Sequence, residues 1–145
     1  MAIKFWGPDH EYGIFSNFAE SPIVIDGDYY PTVEHYFQAA KAADSAQRKY
    51  VMESPTPKVA KARGREVTLR SDWEREKCSI MMRGLQAKAQ QCPEFRAALL
   101  STGEEELIEA SPFVYYWGEG RDHSGRNMLG ELLVDVRQMI KDGEL

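Results

Sequence analysis

Cysteine and positive charge are both scarce in this 145-residue chain. It has two cysteines, Cys78 and Cys92, and no C-x-x-C pair, which excludes a disulfide framework and indicates a reducing compartment. Asp and Glu (23) outnumber Lys and Arg (18), and the net charge of −5 argues against nonspecific binding to nucleic acid or anionic membranes. No segment reaches the roughly 20 apolar residues of a membrane span, and no apolar signal opens the chain. We therefore expect a cytoplasmic protein without membrane contact.

Arrangements typical of metal sites and of nucleophilic catalysis are also missing. The three histidines, His10, His35 and His123, lie far apart and without ligand spacing. There is no G-x-S-x-G motif, and Cys78 falls in the middle of a predicted helix, where burial is expected. The sequence thus predicts neither a metal nor a cofactor, and it favours chemistry carried out by a carboxylate.

The composition is that of one ordinary globular domain, which we assign to residues 1–145, because no repeat or linker divides the chain. Its hydrophobic residues (43%) are sufficient for a core. Charge is unevenly distributed. Residues 58–70 hold five bases and one acid, a net charge of +4, whereas residues 101–145 hold ten acids and four bases, a net charge of −6. This pattern favours one local anion pocket over a continuous polyanion track.

The pattern of apolar residues and turn signals predicts an α+β, helix-rich domain with a small mixed β-sheet. Thr32, Thr56 before Pro57, and Ser71 three residues before Glu74 are typical helix starts. The turn at 26–28 predicts a hairpin. We expect strands at 3–6, 22–25, 107–109 and 114–117, and a further strand that begins at residue 29. We expect helices at 33–43, 57–65, 71–90, 93–100 and 126–141.

The densest chemical signal lies at residues 32–41. Glu34 falls in the first turn of a helix, where the dipole favours its ionised form, and beside aromatic residues it can act as a general base or stabilise a developing positive charge. The alternative is ordinary helix electrostatics next to an aromatic core. Lys41 lies on the same face two turns on and is a candidate phosphate ligand, although an exposed lysine is the plainer interpretation.

A second signal is a glycine-rich segment between an aromatic stretch and the last helix. Gly118, Gly120 and Gly125 allow backbone N–H groups to approach a phosphate at a helix N-terminus, although the G-x-G-x4-G spacing fits neither the dinucleotide nor the P-loop fingerprint. A purely structural turn is the alternative. Trp117 beside this loop is either a stacking platform for a planar base or part of the core.

Two further residues are candidates on weaker grounds. Trp73, at the start of the long helix, can anchor that helix to the core. Asn17 places a polar amide between two aromatic residues, where it can contact a ligand or cap a turn.

Taken in order along nearly the whole chain, these elements resemble the NADAR family, also called the YbiA-like family of N-glycosidases that act on riboflavin-biosynthesis intermediates. The E-H-x-F-Q segment at 34–38 and the W-G-x-G segment at 117–120 contribute most to the resemblance. The other matching elements are residues 15–18, 22–23 with 26–27, Lys41, 60–61, 64–65, 72–74, Met82, 87–88, 99–100 with 102–103, 107–109 and 125–130.

The resemblance implies hydrolysis of the bond between a ribose and a nitrogen heterocycle. The bacterial and plant members act on ribosylamino-pyrimidine 5′-phosphates, early riboflavin intermediates, while other members remove ADP-ribose from modified guanine. By position, Glu34 corresponds to the essential glutamate of the family, and Trp73 and Trp117 correspond to its functional tryptophans. Relatives usually carry an aspartate where this chain has Val114. If that aspartate takes part in catalysis, this protein is expected to be slower, to use Glu119 or Asp122 instead, or only to bind.

Each of these residues has a different expected role. We expect Glu34 to stabilise an oxocarbenium-like ribose and to orient water, and Trp73 or Trp117 to stack on the base. Asn17 or Asn127 would contact sugar hydroxyls or a base edge. The remaining predicted ligands are cations for the 5′-phosphate and glycines that allow close backbone approach: Lys41, Arg63, Arg126, Gly118 and Gly120.

Two other functions fit the same residues. One is an ADP-ribosyl-guanine glycohydrolase, which would contact nucleic acid only where it is ADP-ribosylated. The other is a non-catalytic sensor of ADP-ribose or NAD. In each case the partner is a small ribosyl ligand, and the sequence makes no prediction of oligomeric state.

Overall fold

Side-chain caps fix where two of the site-bearing helices begin. The computed structural model describes residues 1–145, and in it the Thr32 side chain accepts from the His35 N–H while Thr56 accepts from the Val59 N–H. Both caps confirm the sequence prediction. In chain order the elements are β1 (Ile3–Phe5), β2 (Ile23–Ile25), β3 (Asp28–Tyr30), α1 (Val33–Ala40), α2 (Ser45–Met52), α3 (Pro57–Gly64), α4 (Trp73–Gln91), α5 (Pro93–Ser101), β4 (Leu107–Glu109) and α6 (Met128–Lys141).

The strands form two separate pairs within a helix-rich α+β fold. β1 lies parallel to β4, with Phe5 opposite Glu109, and β2 and β3 form the predicted antiparallel hairpin. A parallel pair needs a long connection, and here the intervening chain contains five helices. The result is that Glu109, late in the sequence, is held beside the N-terminal strand.

The core lies around α4, which packs on α1, α5, α6 and β2. Met81, Leu85 and Ala89 are buried on one face of α4, as their i, i+4, i+8 spacing predicts. The predicted apolar face of α6 is also confirmed: Leu129, Leu132, Leu133, Val136 and Ile140 are all buried. No helix has the length and apolar character needed to cross a membrane.

Two local predictions are wrong, and one helix was not predicted. Ser71 does not form a capping box, because α4 begins at Trp73 and the neighbouring Asp72 carboxylate accepts from the Arg70 guanidinium at 2.6 Å. Helix α2 was not predicted, since its single buried residue, Val51, leaves almost no apolar periodicity to detect. Residues 114–117 form an irregular, bent segment rather than a strand.

The first amides of α6 explain that last difference. The N–H groups of Met128 and Leu129 donate to the carbonyls of Tyr116 and Trp117, both at 3.0 Å. Helix N-termini always present unpaired N–H groups, and here the aromatic segment satisfies them with its own carbonyls. Those carbonyls are therefore not available for a strand ladder.

Candidate active site

A cavity of about 430 Å³ lies between α1, α3, the segment 16–18 and the segment 109–117. Most of the predicted chemistry converges there, from parts of the chain that are distant in sequence. Its lining residues are Ser16, Asn17, Phe18, Glu34, Phe37, Gln38, Lys41, Lys61, Arg65, Met81, Glu109, Phe113, Val114, Tyr115, Tyr116, Trp117 and Leu129.

Glu34 lies in the first turn of α1 with its side chain turned into the cavity, and it is only 6% exposed. The Nε2 group of Gln38, one turn later, donates to its Oε2 at 2.7 Å. Burial raises the pKa of Glu34, and the Gln38 hydrogen bond and the positive charges of Lys61, Lys41 and Arg65 oppose that rise. Burial is the largest of these influences on the Glu34 carboxyl group.

Lys41 is at the C-terminal end of α1 and faces the same cavity. Its ammonium lies 5.7 Å from the centroid of the Phe37 ring and 5.8 Å from that of Trp73, and it makes neither a hydrogen bond nor an ion pair. Burial lowers its pKa, which the negative charge of Glu34 partly offsets. It is a cation without a protein partner, available to a ligand.

Two residues of the basic segment 58–70 lie in the cavity wall together with Lys41, and neither of them is the predicted Arg63. Lys61 and Arg65 line the cavity. Arg63, between them, points to the other side of α3, where its guanidinium stacks 4.4 Å from the Tyr50 ring centroid and donates to the Tyr50 carbonyl at 2.9 Å. The reason is helical phase, because residues four apart share a face whereas residues two apart do not.

The two predicted tryptophans lie on either side of Phe37. The Phe37 ring centroid is 5.0 Å from that of Trp73 and 5.3 Å from that of Trp117. Trp117 lines the cavity and is partly exposed, whereas Trp73 is buried behind Phe37 and does not line it. Of the two, Trp117 is therefore the one in position to touch a ligand.

Of the two predicted asparagines, only Asn17 lines the cavity. Asn17 lines the cavity, is 8% exposed, and its Oδ1 has no hydrogen-bond partner. Asn127 instead joins β4 to α6, since its Nδ2 donates to the Leu107 carbonyl at 2.8 Å and its Oδ1 accepts from the Glu109 N–H at 2.9 Å. Its amide is fully used by the protein backbone.

The glycine-rich segment is packed against the protein rather than open to a phosphate. A Cβ on Gly118 would come within 3.0–3.1 Å of the Glu109 carbonyl, the Glu109 carboxyl and the Val114 carbonyl. Gly120 has φ +73° and faces the Tyr115 ring. Arg126 lies outside the cavity, with its guanidinium 5.4 Å from the Tyr116 ring centroid. These residues contact the residues that line the cavity and do not line it themselves, which differs from the predicted direct phosphate contact.

Glu119 and Asp122 were the residues expected to supply a carboxylate near Val114, and the structure places both outside the cavity lining. Glu119 pairs with Lys4 at 3.2 Å and with His123 at 3.0 Å, and Asp122 is exposed and accepts from the Ser124 hydroxyl at 2.6 Å. Instead, Glu109 lines the cavity together with Val114. Burial and the negative charge of Glu34 raise the pKa of Glu109 to about 7.

Glu109 was missed as a site residue although a sequence signal for it exists. Successive side chains of a strand alternate between faces, so Glu109 shares the face of Leu107, which is fully buried. A carboxylate on the buried side of a strand is unusual and identifies a candidate site.

Comparison with known proteins agrees with this architecture. The NADAR domain family matches residues 4–141. N-glycosidase YbiA of Escherichia coli K12 is 41% identical over 140 residues, covering 95% of this chain and 88% of that protein. An N-glycosidase of Nostoc punctiforme is 40% identical over 147 residues, covering 98% of this chain and 94% of that protein.

Two other relatives extend the comparison. The riboflavin biosynthesis protein PYRR of Zea mays, described as chloroplastic, is 37% identical over 155 residues, covering 95% of this chain and 25% of that protein. The NMR structure of E. coli YbiA superposes with a TM-score of 0.91 at 40% identity, covering 99% of this chain and 86% of that chain. With matches of this extent in sequence and structure, the chain belongs to the NADAR domain family.

Proposed function

We propose that the glycosyl hydrolase activity of this chain acts on the C1′–N bond of ribosylamino-pyrimidine phosphates, with Glu34 as the catalytic carboxylate. Relatives named N-glycosidases and riboflavin biosynthesis proteins support this class of substrate. The observation that carries the proposal is the cavity itself, where one buried carboxylate, Glu34, faces three cations, Lys41, Lys61 and Arg65.

The arrangement suits a sugar phosphate. A cavity of about 430 Å³ is within the range of small-molecule sites. Lys61 and Arg65 lie one turn apart on α3 and can bind the 5′-phosphate, while Trp117 offers an aromatic wall for the heterocycle. The unpaired Oδ1 of buried Asn17 is an acceptor for a sugar hydroxyl or a base N–H.

The chemistry follows from the charge that develops on the sugar. As the C1′–N bond breaks, positive charge builds on C1′ and the ring oxygen, and the ionised Glu34 stabilises it. The same carboxylate accepts a proton from the water that attacks C1′, so that the products are ribose 5-phosphate and the free amine. One such group contributes about 10²–10⁴-fold to the rate.

The test is the release of ribose 5-phosphate, followed by mass spectrometry, from the pyrimidine intermediate. Glu34→Gln, which keeps the shape of the side chain, should lower the rate by about 10²–10⁴-fold while the melting temperature stays near that of the parent. Glu20→Gln is a matched control, because Glu20 is exposed and does not line the cavity. Parent-like hydrolysis by Glu34→Gln would contradict the catalytic role.

One observation favours a second candidate, ADP-ribosylated guanine. A neighbouring cavity of about 650 Å³ shares Lys61, Arg65 and Glu109 with the first and adds Trp6 and Lys58, so a ligand larger than one nucleotide has room. Parallel incubation with ADP-ribosylated DNA and with the pyrimidine phosphate distinguishes the two. Tight calorimetric binding of ADP-ribose without turnover of either substrate would instead indicate a sensor.

A further inference from the structure

The cavity holds a second carboxyl group, Glu109, which the proposed function leaves without a role. Its backbone is fixed on three sides. The residue ends β4 opposite Phe5 of β1, its N–H donates to the Asn127 side chain at 2.9 Å, and its carbonyl accepts from the Glu119 N–H at 2.8 Å. The absence of a side chain at Gly118 leaves the space that the Glu109 carboxyl group occupies. The fold therefore presents this carboxyl group to the cavity in a defined position.

The two carboxyl groups have unequal surroundings. Glu34 accepts a hydrogen bond from Gln38 and lies in the field of Lys41, Lys61 and Arg65, all of which favour its ionised form. No side chain donates a hydrogen bond to the Glu109 carboxyl group. Glu34 of α1 disfavours its ionisation and Lys61 of α3 favours it. Lys41, Arg65 and Lys58 are the other cations that line the cavities around Glu109. Nearby, Lys4 of β1 is paired with Glu119.

This asymmetry settles which group keeps a proton. When two carboxyl groups share a site, the one with more hydrogen bonds and cations ionises first, and its charge holds the proton on the other. Burial raises the pKa of Glu34 as well, but Glu34 has the hydrogen bond and more of the cations, so by this rule the negative charge belongs on Glu34. Burial and the Glu34 charge raise the pKa of Glu109 to about 7, so that it is substantially protonated at neutral pH.

An amine leaving from C1′ needs such a proton, because it would otherwise depart as an unstable nitrogen anion. Glycoside hydrolysis in general divides this work between an acid and a carboxylate on two side chains. We propose that Glu109 is a second catalytic residue, the proton donor to the departing nitrogen, acting with Glu34 in the one cavity. The inference rests on the proposed function and adds a residue to it.

Cleavage of the bond uses one proton from Glu109 and one water molecule. The C1′–N bond breaks, and its electron pair goes to the nitrogen, which takes the proton of the Glu109 carboxyl group and leaves as the neutral amine. Water adds its oxygen to C1′ and gives a proton to Glu34. Transfer of that proton through solvent to Glu109 restores both groups, so that one water is consumed for each bond broken.

The decisive experiment compares parent and Glu109→Gln on two substrates with different leaving groups. One is the ribosylamino-pyrimidine phosphate, and the other is an N-ribosyl-pyridinium 5′-phosphate, whose cationic ring leaves as a neutral molecule without a proton. We expect Glu109→Gln to lose about 10²–10⁴-fold in kcat on the first substrate, with KM little changed, and less than about threefold on the second. Equal losses on both substrates, or no loss on the first, would overturn the proposal.

The pH profile on the amine substrate gives an independent readout and decides the matter if the pyridinium compound does not react. The parent should lose kcat/KM as pH rises past about 7, where Glu109 gives up its proton. Glu109→Gln should lack this alkaline decline at its lower level of activity. An unchanged alkaline limb in this variant would contradict proton donation by Glu109.

Two controls separate the possible failures. Glu106→Gln changes an exposed glutamate just before β4 and should keep the activity and pH profile of the parent. If Glu109→Gln melts far below the parent, Glu109→Asp keeps the acid on a shorter side chain and should retain the alkaline limb with reduced kcat. A parent that releases no ribose 5-phosphate refutes the proposed function itself, whereas an active Glu109→Gln on the amine substrate refutes only the role of Glu109.

Discussion

The Gln38 amide donates to the Glu34 carboxylate from one helical turn away, at 2.7 Å, and both side chains are almost completely buried. The other end of the amide, Oε1, has no hydrogen-bond partner and lies against Gly64 of α3. Gln38 thus gives up one buried hydrogen bond in order to aim its N–H group at Glu34. This hydrogen bond favours the ionised form of Glu34 and opposes burial, which raises the pKa of that carboxyl group.

Replacing Gln38 with Met should therefore shift the activity profile. A hydrogen bond to a charged group contributes about 1.5–3 kcal/mol, which corresponds to roughly one to two pH units. Without it, we expect the pKa of Glu34 to rise further and the acidic limb of kcat/KM to move upward by that amount. The measurement is the pH profile of ribose 5-phosphate release.

The control for that change is Gln90→Met on α4, where the glutamine is exposed and lies outside the cavity lining. Its profile should coincide with that of the parent. An acidic limb that stays in place in Gln38→Met would show that the amide does not control the ionisation of Glu34.

Much of the site was predictable where the signals are local. A threonine cap and a helical spacing are properties of neighbouring residues, and so they correctly placed Glu34 in the first turn of α1 and Lys41 on the same face. Trp117 and Asn17 came with aromatic segments that line the cavity. The antiparallel hairpin followed from its Asp-Gly turn.

The features of the site that the sequence did not predict are determined by contacts between distant segments of the chain. Glu109 reaches the cavity only because β4 pairs with β1, a parallel pairing that no local pattern encodes. The amides that open α6 looked available for a phosphate, yet Tyr116 and Trp117 supply their acceptors. Choosing between Arg63 and Arg65 required the phase of α3 relative to α1, which is a property of packing.

The two arginines of α3 provide a matched pair for testing phosphate binding. Arg65→Met removes a cation of the cavity and should raise KM for the phosphorylated substrate by about 10-fold, with little effect on its dephosphorylated form. Arg63→Met removes a guanidinium that stacks on Tyr50, away from the cavity, and should leave both KM values unchanged. Steady-state kinetics on the two substrates measures this. The opposite pattern would place the phosphate on the other side of α3.

Substitution of Trp73 should lower the stability of the fold, whereas substitution of Trp117 should weaken substrate binding. Trp73 is 6% exposed and packs on Phe37, so Trp73→Ala should destabilise the fold by about 3–5 kcal/mol in urea denaturation. Trp117 lines the cavity, and loss of its stacking surface should weaken substrate binding by about 1–3 kcal/mol. If Trp117→Ala binds the substrate as tightly as the parent does, Trp117 serves the core alone.

Lys88 should make stability depend on pH. It is completely buried, its ammonium donates to the carbonyls of Ile14 and Ser16 at 2.7 and 3.2 Å, and burial lowers its pKa to about 7. Between pH 7 and 10 the unfolded chain binds more protons at this lysine than the folded chain, so the free energy of unfolding rises with pH. The parent should gain roughly 3 kcal/mol over Lys88→Met across this range.

The measurement is urea denaturation of the two proteins at several pH values, with Lys141→Met as the matched control. Lys141 also donates to a backbone carbonyl, that of Gly103 at 2.7 Å, but it is exposed, so Lys141→Met controls for the loss of a surface lysine. A parent-to-Lys88→Met difference that stays constant from pH 7 to 10 would mean that Lys88 remains charged throughout.

Gly118→Ala tests whether the glycine is needed for clearance rather than for phosphate binding. The added Cβ would lie 3.1 Å from the Glu109 carboxyl oxygen and 3.0 Å from its carbonyl, so the carboxyl group must move. The contact requires a shift of a few tenths of an ångström at a reacting group, so we expect kcat to fall, while KM for the phosphate substrate changes little. A phosphate-binding glycine would instead raise KM.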